Sequence, residues 1–149
     1  MSDWRENLVE DDERIRALLA GTRRIAVLGI KPGDPAHRNQ PAHYVPRYMQ
    51  EAGYEIVPVP VYYPEVTEIL GARVYRKVAE VPGPVDMVNV FRRPKDIPGH
   101  IPDILAARPR AVWFQLGIRN DEAARQLAEA GILVVQDRCL MVEHRRLMR

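Results

Sequence analysis

Five short apolar runs recur along the chain: Ile25 to Leu28, Tyr54 to Val59, Val85 to Phe91, Ala111 to Gln115 and Ile132 to Gln136. None alternates cleanly between apolar and polar positions, so each predicts a strand buried on both faces. The segments between them carry apolar residues at helical spacing. Ala42 to Ala52 presents Val45, Tyr48 and Met49 and stops at Gly53, although Pro46 requires the helix to start near Ala42 or to bend there. Pro98 to Arg108 carries Ile101, Ile104 and Leu105, with Pro102 near its start. Asp121 to Ala130 follows Asn120, a strong N-cap residue, and ends at Gly131. Leu140, Val142 and Leu147 mark a short C-terminal helix. Ahead of the first strand, residues 1–21 read as a leader helix with Ile15, Leu18 and Leu19 on one stripe, its acids Glu10 to Glu13 early and Gly21 as its stop. Pro60 to Pro82 is irregular, with an extended piece at Arg73 to Tyr75 and a helical turn near Val78.

Strands that alternate with helices five times predict an α/β fold: a doubly wound, mainly parallel five-stranded sheet with helices on both faces. Prolines in the second strand place it at an edge or strand end. Right-handed crossovers bring the loops that follow the strands to one edge of the sheet, where open α/β folds bind ligands. The polar stretches of interest fall there: Gly29 to Arg38, Pro60 to Glu65, Arg92-Arg93, Gln115 to Gly117 and Asp137 to Cys139.

Composition narrows the class. With 149 residues, 46% of them hydrophobic, the chain fits a single domain over residues 1–149, the core running from residue 22. A net charge of +2 argues against nucleic acid as a partner, since that calls for a concentrated basic face. One cysteine excludes an internal disulfide framework, and neither a signal peptide nor a long apolar span is recognisable, so a cytoplasmic protein without membrane partners is expected. Nothing in the apolar patterning decides between a monomer, a homo-oligomer and an unknown protein partner.

Lys31, His37 and Arg38 make the loop after the first strand basic, and the helix after Gln40 has no acid in its first turn. An anion, and in particular a pyrophosphate, is its natural guest, with Lys31, Arg38 or Arg92 as counter-charge. The loop lacks Gly-x-Gly-x-x-Gly, and prolines and tyrosines follow the second strand where an acid would hold a ribose, which disfavours NAD. No Gly-Lys-Ser/Thr occurs for nucleoside triphosphate hydrolysis. The helix starting Asp121-Glu122 already carries its own acids.

Several ordered blocks resemble one family: Val27-Leu-Gly-Ile30, Gly53-Tyr-Glu-Ile-Val-Pro-Val59, Ile69-Leu-Gly-Ala-Arg-Val-Tyr75, Val85-Asp-Met-Val-Asn-Val-Phe-Arg-Arg-Pro94, Val112-Trp-Phe-Gln-Leu-Gly-Ile118 and Val134-Val-Gln-Asp-Arg-Cys139. Together they resemble the stand-alone CoA-binding domains, which are similar to the N-terminal domain of the succinyl-CoA synthetase α subunit. The resemblance implies a Rossmann-like fold that binds CoA or acyl-CoA at the strand edge, the diphosphate on the first loop. It implies contacts from Gly29, Ile30, Lys31, Pro32, Arg38, Gln40, Pro60, Val61, Tyr62, Phe91, Arg92, Arg93, Gln115 and Gly117. Two places depart from the family: Gly29-Ile30-Lys31 stands where Gly-Ala-Ser is usual, and Pro60-Val-Tyr-Tyr-Pro64 where an Asn-Pro is usual.

The synthetases keep their phosphorylated histidine and nucleotide-grasping parts in further domains, so the resemblance implies binding, as an accessory, carrier or sensor module, and not catalysis. The alternative is a redox- or nucleotide-sensing module for NAD(P), or an uncharacterised CoA-dependent enzyme, on the same edge. His37, His43, His100 and His144 show no metal-ligand spacing and read mostly as surface residues. Cys139 reads as a small apolar group without a redox role. Arg92-Arg93 reads equally as ligand groups or as a solvated pair, and Gln115 as a ligand contact or as an amide satisfying nearby backbone. Tyr62 and Tyr63 could stack on adenine or pack the sheet edge; Trp4 is a packing anchor or disordered; Trp113 belongs to the core.

Overall fold

Continuous β-branched sequence must be covered on both faces, and every strand of the main sheet is. The computed structural model describes residues 3–148. After a 3-10 turn at Trp4–Asn7 come α1 (Asp12–Ala20), β1 (Arg24–Leu28), α2 (Pro41–Glu51), β2 (Glu55–Val59), β3 (Glu68–Ile69) and β4 (Ala72–Arg73). A 3-10 turn at Val78–Glu80 leads to β5 (Met87–Val90), and a longer one at Pro94–His100 to α3 (Ile101–Ala107). β6 (Ala111–Phe114), α4 (Asp121–Glu129), β7 (Leu133–Val135) and α5 (Leu140–Leu147) complete the order.

β2-β1-β5-β6-β7 is the strand order, all parallel, while β3 and β4 pair as a separate antiparallel hairpin. The chain thus begins in the middle of the sheet, steps out to β2 and returns past β1 to β5. This is the doubly wound arrangement, and the order reverses between β1 and β5. β2 is an edge strand, where Pro58 is tolerated without a donor.

Alternate strand residues feed two cores. On one face Ala26, Leu28, Val88, Val90, Val112, Phe114 and Val134 pack with Ile101 and Ile104 of α3 and Ala124 and Leu127 of α4. On the other, Ile25, Val27, Met87, Trp113 and Val135 pack with Ile15 and Leu18 of α1, Val45 and Met49 of α2, and Leu140 of α5. Trp113 is fully buried, as expected, and its indole N–H donates to the Arg138 carbonyl at 2.8 Å. Asn120 caps α4 through its side chain, which accepts from Ala123 N–H at 3.0 Å.

Three expectations need correction. The leader is not one helix: Leu8 forms a parallel bridge to Val134, and Val9 N–H donates to the Val134 carbonyl at 2.8 Å, so the segment covers the open edge of β7 before α1 begins. Its first two residues lie outside the described ones. Glu10 precedes α1, and Asp11 is its N-cap, accepting from Arg14 N–H. The helix expected over Pro98 to Arg108 is split, its first part wound as a 3-10 turn because Pro94, Pro98 and Pro102 remove successive donors.

Candidate functional site

The site begins where β1 ends. Gly29 has φ +90°, and a Cβ there would lie 2.3 Å from the Phe91 carbonyl oxygen. The close approach that glycine permits is thus filled by backbone at the end of β5. Gly29 N–H donates to Val59 O and Phe91 N–H to Leu28 O, each at 2.9 Å, so the ends of β2, β1 and β5 are locked side by side at the topological switch point.

Around this point, Gly29, Ile30, Lys31, Val61, Tyr62, Tyr63, Phe91, Arg92 and Arg93 line a cavity of about 210 Å³. It adjoins a second of about 610 Å³, with which it shares Val61, lined among others by Pro60, Arg76, Lys77 and His100. Ile30 is fully buried behind the cavity wall. Lys31 is held twice: its ammonium donates to the Gln40 side chain, and its N–H donates to the Ala42 carbonyl at 3.1 Å. That carbonyl is free because Pro46, four residues on inside α2, has no N–H to give it. His43 is buried and donates from Nδ1 to the Lys31 carbonyl at 2.9 Å, its ring packed where a Gly33 side chain would sit.

Arg92 and Arg93 make the opposite wall. Arg92 Nε donates to His100 Nε2 at 3.1 Å, its guanidinium lies 3.7 Å from Asp96 and 5.5 Å from the Tyr62 ring centroid, and Arg93 Nε reaches Asp96 at 2.8 Å. An imidazole nitrogen that accepts from Arg92 must be unprotonated, and burial, reinforced by the Arg92 charge, holds His100 below the usual histidine range. Arg92 beside it also lowers the Tyr62 phenol, and the Arg93 guanidinium lowers the Asp96 carboxyl. The two tyrosines separate in role: Tyr62 is 58% exposed, whereas the Tyr63 hydroxyl meets His37 Nε2 at 3.2 Å and ties the loop after β2 to the loop after β1. Arg76 donates to the carbonyls of Tyr62, Tyr63 and Val66 at 2.8–3.1 Å and so fixes that loop.

Other residues expected at the site lie elsewhere. Arg38 lines an outward groove with Tyr44, Arg47 and Met141. Pro32 and Gln40 belong to the same loop but not to the cavity wall. Gln115 is turned into the core, its Oε1 accepting from Leu140 N–H at 3.3 Å and Asn89 Nδ2 at 3.4 Å. It satisfies buried neighbours, although Asn89 Oδ1 keeps no partner among the described residues. Gly117, at φ +83°, donates to Asp137 Oδ1 at 2.6 Å beside β7. The start of α2 is a weaker anion site than its lack of acids implies: Pro41 has no N–H, and His43 N–H turns back on the Gln40 carbonyl at 2.9 Å. The histidines are not surface residues, for His43 is buried and His37, His100 and His144 are partly buried, each paired with a neighbour. His100 and Arg76 shape the site without a signal in the sequence, and His43, whose place beside the basic loop offers a phosphate contact as a minority reading, instead holds the Lys31 carbonyl.

Three cations (Lys31, Arg92, Arg93) thus line the cavity beside a glycine turn at the switch point, with two more, Arg76 and Lys77, at the adjoining cavity. The family model described as CoA binding domain matches residues 23–145. An uncharacterised protein of Bacillus subtilis, YneT, is 39% identical over 130 residues, 87% of this chain and 91% of that one. The solved structure of cell-free ID.343 from Thermus thermophilus is 46% identical, covers 93% of this chain and 99% of its own, and superposes with a TM-score of 0.83. At greater distance the fold alone is shared with a dinucleotide-forming acetyl-coenzyme A synthetase of Ca. Korarchaeum cryptofilum, 21% identical with a TM-score of 0.62 over 74% of this chain and 25% of that one. The chain belongs to the CoA binding domain family.

Proposed function

We propose that this chain binds CoA or acyl-CoA at the C-terminal edge of its sheet and acts as a carrier, sensor or accessory module without catalysing a reaction itself. The observation that carries this reading is the convergence of the ends of β1, β2 and β5 on one cation-walled cavity. The diphosphate lies over Gly29 against Lys31, Arg92 and Arg93, whose charge-assisted hydrogen bonds are the strong ones available there. The adenosine 3′-phosphate end, the most anionic part of CoA, turns to the larger cavity, where Arg76 and Lys77 stand. Val61 and Tyr62 cover the junction between the two.

Thermal-shift and calorimetric titration with CoA, dephospho-CoA, NAD(H), NADP(H) and ATP tests this. A ligand bound only by the folded state raises stability by RT ln(1 + [L]/Kd), about 2.7 kcal/mol at a hundred times Kd. CoA is expected to stabilise the protein more than dephospho-CoA, and Arg92→Ala together with Arg93→Ala to weaken it by at least tenfold. No response to CoA, or a larger one to NAD(P), overturns the reading.

A further inference from the structure

Two of the three large hydrophobic side chains that stand exposed among the described residues, Leu116 at 65% and Val142 at 45%, flank one cavity of about 510 Å³ at the far corner of the ligand edge. Its walls come from the segment before α1, the loop after β6, the end of β7 and the start of α5, with Leu8, Val9, Val134 and Cys139 completing the apolar lining. Most of the polar groups around it are engaged within the chain, Glu143 with Arg146 among them, while the Glu10 side chain stands exposed at the rim. Arg138 donates to the Glu10 carbonyl at 2.8 Å, Asp137 accepts from Gly117, Gln136 accepts from Asn120 N–H at 2.8 Å, and Arg119 pairs with Asp121 at 3.1 Å. Besides the Glu10 carboxylate at its rim, the cavity therefore offers a guest an apolar wall and one thiol.

We propose that this cavity receives the acyl group of a CoA thioester, making the protein selective for acyl-CoA with a short to medium apolar acyl chain over free CoA. The inference rests on the CoA reading above and extends it. Charge sets the direction in which the ligand lies: the adenosine 3′-phosphate goes to Arg76 and Lys77 on the β2 side of the switch point, so the neutral pantetheine arm runs the other way, over β5 and β6. From β1 to β7 there are three strand spacings, roughly 14 Å at about 4.8 Å each. A pantetheine arm, comparable to about four residues of extended chain at ~3.5 Å per residue, spans about the same distance. Its sulfur then arrives beside Leu116 and Cys139, and an acyl group on that sulfur enters the cavity.

Isothermal titration of the full chain with CoA and with acetyl-, butanoyl- and hexanoyl-CoA tests the proposal. Each methylene buried against Leu116, Val142 and Val134 is expected to tighten binding by about two- to fourfold, so hexanoyl-CoA should bind at least tenfold tighter than acetyl-CoA. Leu116→Asp and, separately, Val142→Trp, both at exposed positions, should abolish that gain, so that hexanoyl-CoA binds each variant no tighter than acetyl-CoA does. If CoA binds but chain length has no effect, or if both variants keep the gain, the acyl site is wrong and the CoA reading stands. Should neither CoA nor any thioester bind, both fall together.

Discussion

Gly29→Ala tests the switch-point geometry most directly, because the structure supplies its own control. Both Gly29 (φ +90°) and Gly131 (φ +85°) occupy the left-handed region that L side chains avoid, but a Cβ at Gly131 meets nothing within 4 Å, whereas at Gly29 it meets the Phe91 oxygen at 2.3 Å and the Phe91 carbonyl carbon at 3.1 Å. Gly131→Ala therefore measures conformational strain alone, on the order of 1–2 kcal/mol. Gly29→Ala adds a clash with backbone that no rotamer can relieve. To open the gap, β1 and β5 must part at their ends, weakening the Phe91-to-Leu28 or Gly29-to-Val59 hydrogen bond, about 1 kcal/mol each, with overpacking of about 1–3 kcal/mol in addition. An excess of about 2–4 kcal/mol over Gly131→Ala follows, a large share of the ~5–15 kcal/mol that holds a domain of this size. Urea unfolding of both variants measures it, and two values that agree within about 0.5 kcal/mol would refute the claim that Gly29 is required by the Phe91 carbonyl.

Asn120→Ala removes the α4 cap and the Nδ2 bond to the Pro94 carbonyl at 2.9 Å, and is expected to cost about 1–2 kcal/mol in the same urea assay. His43→Phe keeps the ring but removes the donor to Lys31 O; a loss of about 1–3 kcal/mol is expected, together with weaker CoA binding as the first loop loosens, and unchanged affinity would show that the loop does not depend on His43. His100 and His144 are both held below the ordinary value of 6.5, chiefly by burial, so between that value and their lower folded ones the unfolded chain binds more protons. Stability should therefore fall as the pH drops below about 6.5. Thermal melts across that range should show a shallower fall in His100→Asn and His144→Asn, and an identical profile in the double variant would dismiss the assignment.

The sheet was legible in the sequence because it depends on short-range pattern: buried parallel strands need unbroken apolar runs, and Asn120, Gly53 and Gly131 punctuate their helices locally. What escaped has partners remote in sequence or elements too short to leave a period. Leu8 and Val9 cover the β7 edge with two residues, and β3 and β4 have two residues each. Arg38 shares one loop with Lys31, and sequence proximity alone puts the two together. That loop doubles back through the Lys31–Gln40 and His37–Asp34 contacts, which leaves Arg38 against Tyr44 and Arg47. The partial burial of His144 is hidden from the sequence for the same reason: its partner Tyr48 lies 96 residues away.

Pro46 shows how a feature that complicates a sequence-level helix can be part of the site. Inside α2 it withholds the N–H that would have closed on the Ala42 carbonyl, and burial of that carbonyl without a donor would cost about 1–3 kcal/mol. Lys31 N–H takes the vacancy at 3.1 Å. A helix-breaking residue on the inward stripe thus fixes the Lys31 N–H one element earlier, with His43 of the same helix holding the Lys31 carbonyl. The loop between Gly29 and Gln40 needs no glycine-rich phosphate signature to be rigid, because α2 anchors it from behind. The cavity wall is then left to Lys31 and, across from it, to Arg92 and Arg93, which is why a chain lacking the usual nucleotide motifs still presents an ordered, cationic switch point.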